Sequence, residues 1–171
     1  LFDNSAQAWR QRSLMMTQQQ ARRPGEIAVE PLQTSDASLQ YIGRIHTPWQ
    51  QREDCPRQGD LDGPECQIEV FPPWDQALAG LEPQCFLEVL YWLHHSRRDL
   101  VLQCPKGREQ PVGTFALRSP VRPNPIGSSI VELIGIEGQV LRVHGLDCLD
   151  GTPLLDLKPA RSAFMRTHSG A

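Results

Sequence analysis

The chain has 171 residues, of which 39% are hydrophobic and 22% charged. That is enough for one globular core and excludes both a second full domain and a chain disordered throughout. A net charge of −3, from 17 basic and 20 acidic residues, excludes a uniformly basic surface for polyanions. The longest apolar run, 86–93, is interrupted by Glu88 and falls well short of the roughly 20 apolar residues of a membrane-spanning helix.

Residues 1–38 read as a leader, poorly structured or holding a short helix. They contain Met15-Met16, Gln18-Gln19-Gln20 and Arg22-Arg23-Pro24-Gly25 with little sustained apolar pattern. A helix over 3–20 suits the Ala, Gln, Leu and Met content, and Pro24 and Gly25 would end it. The segment lacks the charged start, apolar stretch and cleavage site of a secretory signal.

From residue 39 to 171 the punctuation changes to short runs rich in Val, Ile and Leu, separated by Pro, Gly and Asp. Strands are expected at 41–46, 66–71, 85–93, 100–104, 112–117, 129–136, 139–146 and 154–157. Glu137-Gly138 marks the clearest hairpin, in whose second arm Leu141 and Val143 face one way and Arg142 and His144 the other. Only 74–81, between Pro73 and Pro83, reads as a short helix in this region. Fifteen prolines and thirteen glycines favour many short elements, and the fold class expected is all-β: a single antiparallel β-barrel with short helical insertions. Closure into a barrel removes the exposed edges that an open sheet would present.

Cys55, Cys66, Cys85, Cys104 and Cys148 form no C-x-x-C pair and have no histidine at zinc-finger spacing, so no metal is expected. The odd count and irregular spacing read as free thiols, for which the cytoplasm is the default location. His94-His95 invites a metal reading, but neighbours on a strand face opposite sides and further ligands are absent. Phosphate-loop, dinucleotide and nucleophile-elbow glycine motifs are also missing.

Two stretches carry the chemistry. In the segment 115–129, Pro120, Pro123 and Pro125 exclude a helix or central strand and stiffen the loop. Such a loop either fixes Arg118, Arg122 and Asn124 for a polar ligand or is simply a stiff structural turn. In the second, 146–159, Asp150-Gly151 is a turn signal before a strand with Asp156. Asp150 there is either a functional carboxylate or the acceptor for its own turn, and Asp156 is a natural partner for Lys158. Arg97, Arg98, Lys106, Arg108, Arg118 and Arg122 face only Asp99 and Glu109 over 97–122, a local balance of +4.

Arg118-Ser119, Arg122-Pro123-Asn124-Pro125-Ile126-Gly127 and Val131-Glu132-Leu133, followed by Leu146-Asp147, Leu149-Asp150-Gly151-Thr152-Pro153 and Asp156-Leu157-Lys158-Pro159, resemble the TsaA-like, or TrmO, family of S-adenosylmethionine-dependent tRNA methyltransferases. The resemblance runs over about 41–159. It implies a homodimeric barrel that transfers a methyl group to the 6-nitrogen of N(6)-threonylcarbamoyladenosine beside the anticodon of tRNA. It further implies a cofactor held by Pro56, Arg57, Gln58, His95, Ser96, Arg118, Ser128, Asp147, Cys148, Leu149 and Asp150. On that reading Arg118 suits the cofactor carboxylate, and Asp150 is the candidate acceptor of the substrate proton while Asn124 orients the base. Arg97, Arg98, Lys106, Arg108 and Arg122 would contact RNA phosphates. The alternatives are a non-catalytic module that binds S-adenosylmethionine, and a methyltransferase for a small molecule.

Overall fold

The computed structural model describes residues 22–30 and 37–160, so the helix expected over 3–20 lies outside them. The elements in order are β1 (Ile27–Ala28), β2 (Gly43–His46), β3 (Cys66–Val70), β4 (Phe86–Trp92), β5 (Leu100–Gln103), β6 (Val112–Gly113), β7 (Ile126–Glu137), β8 (Val140–His144) and β9 (Thr152–Pro159). Two 3-10 turns, Trp74–Leu78 and Thr114–Ala116, complete the set. The chain divides into two compact units.

The first unit, 39–92 with 127–160, contains a closed antiparallel barrel with strand order β2-β3-β8-β7-β4-β9. β2 closes it by pairing with β3 on one side, Gly43 opposite Val70, and with β9 on the other, Gly43 opposite Leu154. Period-two alternation explains why these sequences form this barrel: along β4 the inward positions Leu87, Val89 and Tyr91 are buried while Phe86, Glu88, Leu90 and Trp92 are only half-buried. Ile45, Ile68, Leu133, Leu141, Val143 and Leu154 meet these residues in a core with no solvent exposure. The hairpin forms as expected: Gly138 takes φ +61° between β7 and β8, and Leu141 and Val143 point inward.

The second unit includes 22–30 and 93–126. Here β5 is the middle strand of a three-stranded antiparallel sheet, β1-β5-β6, whose centre is partly polar. Gln103, 6% exposed, donates through Nε2 to Thr114 Oγ1 at 2.9 Å and to the Val121 carbonyl at 2.8 Å, while the Thr114 hydroxyl donates to the Leu100 carbonyl at 2.7 Å.

The structure revises several expected elements. The runs at 100–104 and 112–117 are strands of this small sheet, so six strands and not eight close the barrel. The second of these runs shortens to two residues because Thr114 turns inward to bond Leu100 and starts a 3-10 turn. β1 was not anticipated: two residues carry no periodicity, and Ile27 is still half exposed. The helix expected at 74–81 is a five-residue 3-10 turn. β7 begins at Ile126, three residues before the expected start and directly after Pro125, whose ring does not prevent its successor from donating.

Candidate functional site

The barrel unit gathers its chemistry around the loop between β8 and β9. Thr47, immediately after β2, donates its hydroxyl to the Cys148 carbonyl at 2.9 Å and its backbone N–H to Asp150 Oδ1 at 3.2 Å. The Asp150 amide donates to the Trp49 carbonyl at 2.8 Å, and the Gly151 amide to the Ile45 carbonyl at 2.9 Å. Gly151 makes this turn at φ +76°, a conformation that glycine adopts without a side-chain clash. The loop is thus laced to the end of β2 by four hydrogen bonds. Asp150 keeps about a third of its side chain exposed, and Oδ1 also lies 3.6 Å from His46 Nδ1.

Asp147 is held from inside the barrel. Its Oδ1 accepts from Tyr91 OH at 2.6 Å and from Ser129 Oγ at 2.8 Å, and the two hydroxyl oxygens are themselves 2.8 Å apart. Each hydroxyl has one proton, so with Asp147 ionised only two of the three contacts carry a hydrogen; both protons go to the carboxylate, where charge-assisted bonds are stronger. Burial first, and then the Asp147 carboxylate, raise the pKa of the Tyr91 phenol far above its ordinary value, which keeps it a donor. Burial likewise raises the Cys148 thiol, the largest of several causes, so that side chain stays neutral. Packing leaves no slack around Tyr91: a Cβ at Gly127 would lie 2.0 Å from its ring.

A cleft of about 170 Å³ lies beside this loop, its walls including Trp49, Asp54, Pro56, Asp60, Pro64 and Leu146. One wall is fixed by backbone contact, since a Cβ at Gly59 would stand 1.9 Å from the Gly145 carbonyl oxygen. Among the expected cofactor residues, Pro56 lines the cleft, Arg57 and Gln58 are exposed next to it in sequence, and Leu146 adjoins Asp147. Ser128 points outward from β7 and donates to Glu88 Oε1 at 2.9 Å. Trp49, Asp54 and Asp60 were missed by sequence reasoning; a tryptophan in a loop between Pro48 and Pro56 was the available signal.

The other expected residues belong to the second unit. His94 is buried and His95 exposed in a turn after β4, with ring centroids 3.7 Å apart; the strand has ended at Trp92, so strand alternation does not separate them. Partial desolvation lowers the pKa of His95. Ser96 donates its amide to Leu93, and Arg118 is exposed. Arg98 Nε donates to the Pro123 carbonyl at 2.6 Å and Nη2 to Asn124 Oδ1 at 3.4 Å, so this arginine braces the proline-rich loop. Arg97 forms a two-pronged pair with Asp99, both contacts 2.8 Å, and the hydrogen bond from Arg97 is the largest cause holding the Asp99 carboxyl below its usual range. Arg122 Nη1 donates to the Leu117 carbonyl at 2.6 Å. Lys106 and Arg108 are exposed.

A six-stranded closed antiparallel barrel whose β8–β9 loop is anchored to β2 and to an interior Tyr-Ser-Asp cluster defines the class. Residues 44–164 match the family model described as the tRNA-methyltransferase O N-terminal domain, and the chain belongs to that family. It is 54% identical to VirR of Rhizobium radiobacter, a probable S-adenosyl-L-methionine-binding protein, over 82% of this chain and 80% of that protein. An S-adenosyl-L-methionine-binding protein of Archaeoglobus fulgidus is 38% identical over 70% of this chain and 86% of its own length. The crystal structure of TrmO from Pseudomonas aeruginosa superposes with a TM-score of 0.62 at 32% identity, covering 80% of this chain and 62% of that one. The present chain therefore spans about three-fifths of the solved TrmO chain.

Proposed function

We propose that this protein is an S-adenosylmethionine-dependent methyltransferase acting on the 6-nitrogen of N(6)-threonylcarbamoyladenosine beside the anticodon of tRNA. The observation that carries the reading is the family match over 44–164, a stretch containing both motif segments. The cleft chemistry fits an adenosyl group: the Trp49 ring, Pro56, Pro64 and Leu146 offer apolar walls to a purine, and the Asp54 and Asp60 carboxylates offer acceptors to a ribose diol. At about 170 Å³ it is smaller than the roughly 300–1,000 Å³ of a pocket for a whole drug-sized ligand, so it would take one part of the cofactor, the remainder lying along the anchored loop.

When bound, S-adenosylmethionine supplies a methyl group on a sulfonium, a donor that needs no activation by the protein. The chain's own residues then have two tasks. Asp147–Asp150 hold the loop rigid, which lowers the ordering cost of binding and keeps the reacting groups aligned. Asp150, with Oδ1 committed to the Thr47 amide, would take the proton of the substrate nitrogen on Oδ2. RNA contacts fall to the exposed cations Lys106 and Arg108, with Arg98 and Arg122 contributing charge.

The test is incubation of the purified protein with S-adenosylmethionine and tRNA carrying the threonylcarbamoyl group. Methylated nucleoside in the digest supports the proposal; cofactor binding with no methylated product rejects it. A second reading, a cofactor-binding module without transferase activity, is favoured by the names of relatives such as VirR; that negative result agrees with it, and no methyl transfer to free nucleoside or other small acceptors would separate it from a small-molecule methyltransferase.

A further inference from the structure

Phe115 is 79% exposed, the largest exposure among the large apolar side chains of the described residues, and it has no part in the roles argued so far. Its position is imposed by its neighbours. Thr114 is locked inward by Gln103 and Leu100, so the 3-10 turn Thr114–Ala116 must present the next side chain outward. The same Gln103 amide holds the Val121 carbonyl, and Ser119 Oγ accepts from the Val121 amide at 3.2 Å. These bonds fix both ends of the segment between Phe115 and Arg122.

Arg122 completes the arrangement. Its Nη1 is tied to the Leu117 carbonyl, and its guanidinium carbon lies 5.8 Å from the centre of the Phe115 ring, within the range of a cation–π contact. A bare aromatic face on a rigid turn, next to a fixed cation and within the segment of local charge +4, is a poor surface for a neutral or basic partner. It matches an anion that carries flat apolar rings.

We propose that Phe115, with Arg122 beside it, is a stacking platform for one unpaired base of a single-stranded RNA loop. The proposal rests on the tRNA reading above and adds to it a residue and a mode of contact. Unstacked loop bases are the part of an RNA that proteins commonly recognise, and aromatic side chains receive them. A backbone held at both ends of the segment spares the entropy of ordering the turn that carries the ring.

The experiment measures binding of the full chain, at fixed salt, to an RNA hairpin whose single-stranded loop carries 2-aminopurine, beside a fully paired duplex of equal length. Phe115→Ala should weaken hairpin binding about 5- to 150-fold, the equivalent of roughly 1–3 kcal/mol for one base–aromatic stack. Binding to the duplex should be unchanged. Phe115→Tyr should restore affinity and Phe115→Leu should not, because the Leu side chain keeps apolar bulk without a π face. The slope of log affinity against log salt should be the same in all four proteins, since stacking releases no counterions. Equal hairpin affinity for Phe115→Leu and wild type overturns the platform, as does a wild type that binds no RNA. Sedimentation of the same samples covers the other occupant: if Phe115→Ala separates a dimer and leaves hairpin binding intact, the ring covers a second copy and the proposal falls. Methyl transfer to threonylcarbamoylated tRNA, measured on the same proteins with S-adenosylmethionine, keeps the two readings apart. Hairpin binding through Phe115 without any transfer retains the platform and rejects the transferase, whereas transfer and RNA binding unaffected by Phe115→Ala reject the platform alone.

Discussion

Asp150 is both an anchor and the proposed base, and two substitutions separate these tasks. Asn at this position keeps an oxygen for the Thr47 amide but is not basic; Ala loses both. Asp150→Asn is therefore expected to bind S-adenosylmethionine like wild type while kcat falls about 100-fold or more, the usual range for loss of a general base. Asp150→Ala should lose cofactor affinity as well. Calorimetric titration with single-turnover kinetics measures both quantities, and full turnover by the Asn variant would remove Asp150 from the chemistry. Tyr91 acts on the neighbouring residue. Tyr91→Phe leaves Asp147 with the Ser129 hydroxyl alone, and urea unfolding should show a loss of about 1–3 kcal/mol, the cost of removing a buried bond to a charged acceptor. The sequence made Asp147 and Asp150 visible through their motif. It could not reveal Tyr91 and Ser129 as their partners, because those contacts span 56 and 18 positions along the chain and appear only when β4, β7 and the β8–β9 loop come together.

Among the elements, the loop between β2 and β3 and the strand pair β4–β7 make separable predictions. A Cβ at Gly59 meets only backbone at Gly145, so Gly59→Ala must lift that loop and deform the cleft. Cofactor affinity should fall more than tenfold while the unfolding midpoint moves little. Gly127→Ala drives a methyl group into the Tyr91 ring inside the barrel, and thermal unfolding should register the roughly 1–3 kcal/mol typical of overpacking, or more. β3 adds a pH dependence. Burial, ahead of the nearby Glu65 carboxylate, raises the Cys66 thiol from 9.0 to about 11. A folded-state value above the unfolded one means that this stability is complete below about pH 9 and is lost as pH rises towards 11. The loss from this thiol amounts to about 2–3 kcal/mol, and Cys66→Ala should make the curve shallower over that interval while the fall due to the buried Cys148 thiol persists. Alternation and turn residues made the six barrel strands legible, to within a few residues at their ends. The small sheet was not separable from the barrel by sequence, because Leu100–Gln103 has the same apolar character as a barrel strand while its pairing with β1 depends on two residues.

At the scale of the whole molecule, a chain of net charge −3 is expected to bind RNA only through a local surface, and the exposed cations over 97–122 supply one. Binding should weaken steeply with salt, and Lys106→Ala with Arg108→Ala should each reduce the slope of log affinity against log salt by about one. Arg97→Ala should leave that slope unchanged, since its charge is already matched by Asp99 at 2.8 Å. Charge counting alone could not distinguish these arginines, because pairing depends on side-chain geometry. The central claim is that this barrel transfers a methyl group to a modified adenosine of tRNA. Mass spectrometry of nucleosides from threonylcarbamoylated tRNA, after incubation with the protein and S-adenosylmethionine, measures it directly. The account predicts that N(6)-threonylcarbamoyladenosine gains one methyl group on its 6-nitrogen, in a reaction that requires both cofactor and protein; unmodified nucleoside in the presence of demonstrated cofactor binding would contradict it.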